Sequence, residues 1–315
     1  MKKMYLAYQV TFTMKEKSMK NICVIGLGSM GMGMAKSLFR AGFNVTGVDT
    51  QTKAVEQFQQ FGGQAATSLA DYNNFDAVFL VVLNEQQTLD VLFGNEGIAK
   101  QLQSNCIVFG CATISPSGAK DIETQLKALA PNVFYLDAPI SGGFEKSALG
   151  KLSILLSGHK DAQEQARPYL DAISEKCFPL GNDVGTASAM KAVNQLLAGV
   201  HIAAMAEALV FAASQNIEPK IFLETISQCA GTSWMLENRA PHIVEGDYTP
   251  KSSVNIWPKD LSIVKDIAEK SHVDIPLART ALAQFMEASQ NGLGNEDDAA
   301  VAKIYAQKSG ITLPS

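Results

Sequence analysis

Lys191, Asn194 and Gln195 stand at positions i, i+3 and i+4 of Lys-Ala-Val-Asn-Gln, on one face of a stretch made mainly of Ala, Leu, Val and Met. A lysine and two amides on an apolar helix are costly if buried. A solvated lysine at a helix edge needs no function, and the triplet alone fits that reading. A buried amine, however, titrates closer to neutral pH and can exchange a proton with a hydroxyl. That ability has a use beside a hydride carrier, because hydride transfer to or from an alcohol needs a proton partner.

A candidate carrier site lies between Asn21 and Asp49. Gly26-Leu27-Gly28-Ser29-Met30-Gly31 fits G-x-G-x-x-G, with a strand pattern before it, a helix pattern after it, and Asp49 18 residues beyond Gly31. The first glycine permits a tight turn, the second admits a pyrophosphate, and the third packs helix on strand. The helix N-terminus offers N–H groups to the phosphates. Asp49 accepts from both ribose hydroxyls and repels a 2′-phosphate. Thr50, Gln51 and Thr52 bring no arginine, so NAD is expected over NADP, with Lys53 the one cation able to reach round. A third constellation, Asp137-Ala-Pro-Ile-Ser-Gly-Gly143, follows a strand end. Ser141, Gly142 and Gly143 expose backbone N–H groups and a hydroxyl, a nest suited to a carboxylate; an ordinary turn uses the same residue types.

In this order the three motifs resemble the β-hydroxyacid dehydrogenase family, which includes 3-hydroxyisobutyrate, tartronate semialdehyde and 6-phosphogluconate enzymes. The likeness runs from about Asn21 to Tyr305 and takes in Gln195–Ile202, Gly231–Arg239, Glu245–Pro250 and Lys259-Asp260-Leu261. It implies Lys191 as the catalytic acid and base, with Asn194 positioning it and the substrate. It implies Thr50, Leu83, Asn84, Thr113 and Lys259 as cofactor contacts beside the glycine loop and Asp49. Ser141, Gly142, Gly143, Asn194 and Gln195 would bind the substrate. The expected reaction is NAD-dependent oxidation of a small hydroxy acid. The alternatives are reduction of tartronate, succinic or methylmalonate semialdehyde, 3-hydroxyisobutyrate oxidation, and a dinucleotide-binding module without turnover. Lys191 and Asn194 together argue against the last. The chain departs from the family pattern at Gln195, where many members have a second Asn, and at Cys111-Ala112-Thr113, where an acidic-x-Ser-Thr stretch is usual. The longer amide is expected to reshape the pocket around a polyol chain. NADP-preferring relatives often carry Asn-Arg at the Asp49 position.

The elements that must position these groups follow from the hydrophobic pattern. Apolar runs at Ile22–Ile25, Asn44–Val48, Ala77–Val82, Cys106–Phe109, Val133–Leu136, Leu152–Leu156 and Cys177–Leu180 alternate with helical stretches such as Ala54–Phe61 and Ser117–Leu129. This predicts an α/β, Rossmann-type, doubly wound parallel sheet over residues 21–182. Residues 183–315 read as all-α: a long interdomain helix over Ala187–Gln215, then helices at Pro219–Cys229, Lys259–Ser271, Pro276–Asn291 and Ala299–Gln307. Residues 1–20 are expected to be a disordered extension outside the fold.

Composition narrows the rest. Twenty-six basic against 31 acidic residues give a net charge of -5, with no long basic block, so nucleic acid is not an expected partner. No uninterrupted apolar run approaches the ~18 residues of a membrane span. The five cysteines, Cys23, Cys106, Cys111, Cys177 and Cys229, form no CxxC pair and read as reduced packing thiols in the cytoplasm. His159, His242 and His272 have no metal-ligand spacing, so no metal is expected. His201 reads as a core or helix-surface residue. Asp297-Asp298 reads as a solvated pair near a helix start. Trp234, Met235, Asn238 and Arg239 are candidates for the pocket wall, with a structural ion pair expected for Arg239. The apolar helical half and the resemblance point to a homodimer or homotetramer.

Overall fold

The structure, a computed structural model, describes residues 19–68 and 74–314; the expected extension falls almost wholly outside them. Strands β1 (Asn21–Ile25), β2 (Asn44–Val48), β3 (Gln64–Ala66), β4 (Ala77–Leu80), β5 (Ile107–Gly110) and β6 (Phe134–Asp137) lie parallel in the order β3-β2-β1-β4-β5-β6. The order reverses at β1, so a crevice opens beyond the carboxyl ends of β1 and β4. Alternate residues of each strand face opposite ways. Ile22, Val24, Phe79 and Phe109 enter one core, while Cys23, Ile25, Val78 and Leu80 enter the other. Both faces are covered by helices, which is why the strands read as continuous apolar runs.

Two features depart from a purely parallel sheet. β7 (Ile140–Ser141) was not foreseen, being only two residues long, and β8 (Leu152–Gly158) runs antiparallel to both β6 and β7. β9 (Ser174–Pro179) then returns parallel to β8. The antiparallel turn keeps Ser141-Gly142-Gly143 at the crevice rim. β3 was also unpredicted, since Gln64-Ala-Ala gives too short a pattern to detect.

The helices of this half are α1 (Ser29–Arg40), α2 (Thr52–Phe61), α3 (Glu85–Phe93), α4 (Pro116–Leu129), α5 (Gly143–Ala148) and α6 (Lys160–Ile173). The remainder is helical: α7 (Thr186–Ser214), α8 (Pro219–Ile226), α9 (Trp234–Glu245), α10 (Ile256–Lys270), α11 (Pro276–Ala288) and α12 (Val301–Ser309). By length and composition α7 could cross a membrane, with a mean hydropathy of 1.9 over its most apolar window, contrary to the sequence expectation. It is the central helix of this half, with Ile202, Met205, Ala206 and Leu209 buried against α9 to α12. α9 escaped the sequence reading because Pro241 lies inside it. Ser233 caps its start by accepting from Leu236 N at 3.0 Å, and Pro241 stands late enough to leave the first turns intact.

Two further expectations need correction. Cys229 is exposed and Cys177 half-buried, so only three of the five thiols are core residues. Asp297 and Asp298 are fully buried, not solvated. Asp297 faces His242 Nδ1 at 2.8 Å, and Asp298 accepts from Arg239 Nε at 2.5 Å and Trp257 Nε1 at 2.9 Å. Burying two adjacent carboxylates is tolerable because each has charged or N–H partners.

Candidate active site

The crevice continues into a cleft of about 1510 Å³ between the sheet's carboxyl edge and α7, α9 and α10. At its sheet end lies the glycine loop. Gly26 has φ +94°, and a Cβ there would overlap the Val81 carbonyl; one at Gly31 would overlap the Gly26 carbonyl. At Gly28 a Cβ would meet nothing, so that flank is open to the cleft. α1 starts here with no side-chain cap, leaving its first-turn N–H groups without intrahelical acceptors. Asp49 directly follows β2, and its carboxylate accepts from Leu27 N at 2.7 Å and Gln51 N at 2.8 Å. Two of roughly four acceptor positions are thus used, and the others remain for ribose hydroxyls. An open glycine flank, uncapped amides and a carboxylate at the far end fit NAD.

The expected cofactor residues fall into two groups. Gly26, Gly28, Ser29, Met30, Gly31, Asp49, Thr50, Leu83, Thr113 and Lys259 line the cleft. Leu27 is not part of the wall: its side chain is buried on Gly47 and its N–H donates to Asp49. Asn84 is not part of the wall; its side chain caps α3 by accepting from Gln87 N at 2.9 Å. Lys53 is exposed and lies outside the cleft.

Lys191 lies deeper, one turn into α7 and 7% exposed. Its Nζ donates to the Ile140 carbonyl at 2.9 Å, one residue before Ser141. Gly142 and Gly143 follow at φ +133° and +75°, conformations that favour glycine. The buried amine and the Ser141-Gly142-Gly143 loop are therefore neighbours. Burial lowers the Lys191 amine to about 8, with the Asp260 carboxylate raising it and Lys259 lowering it.

The position of Lys191 is fixed from β6. Asp137, 1% exposed, accepts from Gly185 N at 3.0 Å, Ser188 N at 2.8 Å and Ser188 Oγ at 2.7 Å. Its carboxylate caps the N-terminus of α7 in place of the missing side-chain cap. Burial raises the carboxyl's pKa, and the hydrogen bonds from Ser188 and Gly185 pull it back.

Asn194 lines the cleft and donates to Gln195 Oε1 at 2.9 Å; Gln195 Nε2 donates to Asp260 Oδ2 at 2.5 Å. Lys259 Nζ lies 2.6 Å from the other Asp260 oxygen. Gly199 permits this contact, because Trp257 and Leu261 of α10 press on the space its Cβ would take. Asp260 is the group the sequence reading passed over, although an acid next to a predicted contact lysine was a usable signal. Trp234, Met235, Asn238 and Arg239 of α9 complete the wall, while His201, half-buried on α7, does not reach it. Lys251 Nζ approaches Glu145 Oε1 at 3.3 Å across the cleft mouth.

A dinucleotide cradle facing a buried lysine, its amine lowered toward neutrality, across two differently built halves fits a class: the nicotinamide-dependent oxidoreductases. Residues 21–181 match the NAD binding domain of 6-phosphogluconate dehydrogenase, and 185–305 match the NAD-binding region of NADP-dependent 3-hydroxyisobutyrate dehydrogenase. The chain is 44% identical to the L-threonate dehydrogenase of Pectobacterium atrosepticum over 96% of its length and 98% of that protein's. It is 42% identical to the L-threonate dehydrogenase of Escherichia coli K12, covering 96% and 99%. A crystal structure of a 3-hydroxyisobutyrate dehydrogenase from Salmonella typhimurium superposes with a TM-score of 0.86 at 41% identity, covering 90% of this chain and 99% of that one. The chain belongs to the β-hydroxyacid dehydrogenase family, and it is an NAD-dependent hydroxyacid dehydrogenase.

Proposed function

We propose that the chain oxidises L-threonate at C2 to 2-dehydro-L-erythronate. The observation that carries this reading is the 2.9 Å bond from Lys191 Nζ to the Ile140 carbonyl, which sets a buried amine beside Ser141-Gly142-Gly143. Bound NAD supplies the hydride acceptor. The nest holds the substrate carboxylate, which leaves C2 and its hydroxyl beside the lysine. Neutral Lys191 takes the hydroxyl proton during oxidation and, protonated, returns it during reduction. Holding acid, amine and coenzyme in one geometry contributes as much as the proton transfer itself. The L-threonate dehydrogenases at 42–44% identity support this substrate over other small hydroxy acids.

In this reading residues 21–182 form the coenzyme unit and 183–315 the substrate and assembly unit. α7 exposes Met190, Val193, Leu197 and Phe211, between 44% and 67% each, as an apolar stripe. A homodimer or homotetramer would cover it. Five unpaired cysteines suit a reducing cytoplasm.

The test is a screen of purified protein against C3 to C5 hydroxy acids and semialdehydes with NAD(H) and NADP(H), followed at the reduced-nicotinamide band. L-threonate with NAD should give the highest kcat/KM. A higher value for 3-hydroxyisobutyrate or a semialdehyde would replace the proposed substrate.

A further inference from the structure

Of the carboxamides lining the cleft, Asn194 on α7 and Asn238 on α9 are each joined through one residue to a buried carboxylate. The chemistry of those chains fixes which way each amide points, although the heavy atoms of an amide look alike.

The first chain ends on Asp260, 2% exposed and an acceptor only when ionised. Gln195 must turn its NH₂ to that carboxylate, as its 2.5 Å bond from Nε2 shows. Its Oε1 then faces Asn194, which must answer with Nδ2, at 2.9 Å. One Asn194 N–H is committed, so the amide keeps its carbonyl Oδ1 and a second N–H for the cleft. The second chain has the opposite sense. Asp298 holds Arg239, a donor only, and Arg239 Nη1 donates to Asn238 Oδ1. Asn238 is left with its Nδ2 donors.

We infer that Gln195 is a positioning residue, and that Asn194 and Asn238, oriented in opposite senses by Asp260 and Arg239, select acids carrying hydroxyls on the carbons beyond the one oxidised. A hydroxyl both donates and accepts, so it can satisfy the Asn194 carbonyl as well as the Asn238 amine. A methyl or methylene satisfies neither and leaves both amides unpaired beneath the bound substrate, the situation in which enzymes discriminate most strongly. Gln195 itself has both ends of its amide engaged within the protein, so its effect reaches substrate through Asn194. This inference rests on the hydroxyacid oxidation proposed above and specifies what the far end of the site recognises.

The experiment compares kcat/KM for L-threonate and for its 3-deoxy and 4-deoxy analogues, with NAD, in wild type, Gln195→Met and Asn238→Leu. Methionine keeps the length of Gln195 without either amide bond. Wild type should favour L-threonate over the deoxy acids by at least about tenfold. Gln195→Met should reduce that ratio at least about tenfold, whatever the fall in absolute turnover, because the Asn194 amide is free to flip. Asn238→Leu should lower the ratio likewise, and it changes a half-buried residue, so it answers the question if Gln195→Met folds poorly. A merely structural role lowers turnover on all acids together. Unchanged ratios in both variants, with hydroxyacid activity intact, overturn the inference alone. If wild type oxidises no hydroxy acid, the proposed function falls and the inference with it.

Discussion

Asp137 at the end of β6 accepts hydrogen bonds from both the amide and the hydroxyl of Ser188, at 2.8 and 2.7 Å, one turn ahead of Lys191. The sheet and the helix carrying the lysine are joined at that carboxylate. Asp137→Ala leaves the amides of Gly185 and Ser188 buried without an acceptor. It should cost about 2–4 kcal/mol in urea unfolding and lower kcat as well, since α7 loses its anchor. A loss under about 0.5 kcal/mol would mean that the clamp does not hold the two halves.

Lys191→Ala should cut kcat by about 10²–10⁴-fold, the usual contribution of a positioned acid or base, while NAD affinity, read by fluorescence titration, stays close to wild type. The amine touches the Ile140 carbonyl and not the glycine loop, which is why binding and turnover should separate.

The pH dependence follows from the amine's value of about 8. Oxidation needs the neutral form, so its kcat/KM should rise with pH and level off above about 8. Reduction needs the protonated form and should decline over the same range. An oxidation profile flat from pH 6 to 9 would argue against lysine as the proton acceptor.

The same burial has a stability consequence. The folded value lies below the ordinary 10.5, so between about 8 and 10.5 the unfolded chain binds more protons and stability rises with pH. Below about 8 the folded protein carries a buried ammonium at a cost on the order of 3 kcal/mol. Lys191→Met should therefore raise the melting temperature of the NAD-free protein at pH 7 while abolishing activity, with the gain shrinking toward pH 10. A lower melting temperature at pH 7 would show that the Ile140 bond outweighs desolvation.

Asp49 touches both the loop and its own turn, through Leu27 N and Gln51 N. Asp49→Ala should raise the KM for NAD about tenfold or more, removing charge-assisted bonds to the ribose. Asp49→Asn combined with Thr50→Arg should shift preference toward NADP. Retention of full NAD preference in the double variant would locate coenzyme choice elsewhere.

Much of this molecule was legible in its residues because the signals are local. G-x-G-x-x-G between a strand and a helix, with Asp49 at the next strand end, is contiguous chemistry, and the apolar runs of β1, β2, β4 and β5 report their own burial. The i, i+3, i+4 spacing of Lys191, Asn194 and Gln195 likewise follows from helix geometry alone. What failed was short or contextual. β3 and β7 have two or three residues, and Pro241 disguised α9.

The residue types available for catalysis, and the coenzyme they serve, were thus determined by the linear chain. Tertiary structure alone decided that Lys191 is buried beside Ile140, that Asp260 reaches Gln195 across 65 positions, and that Asp297 and Asp298 lie inside the protein. The physical reason is that a pKa or an amide's orientation depends on what surrounds the group, and those neighbours come from other helices and strands.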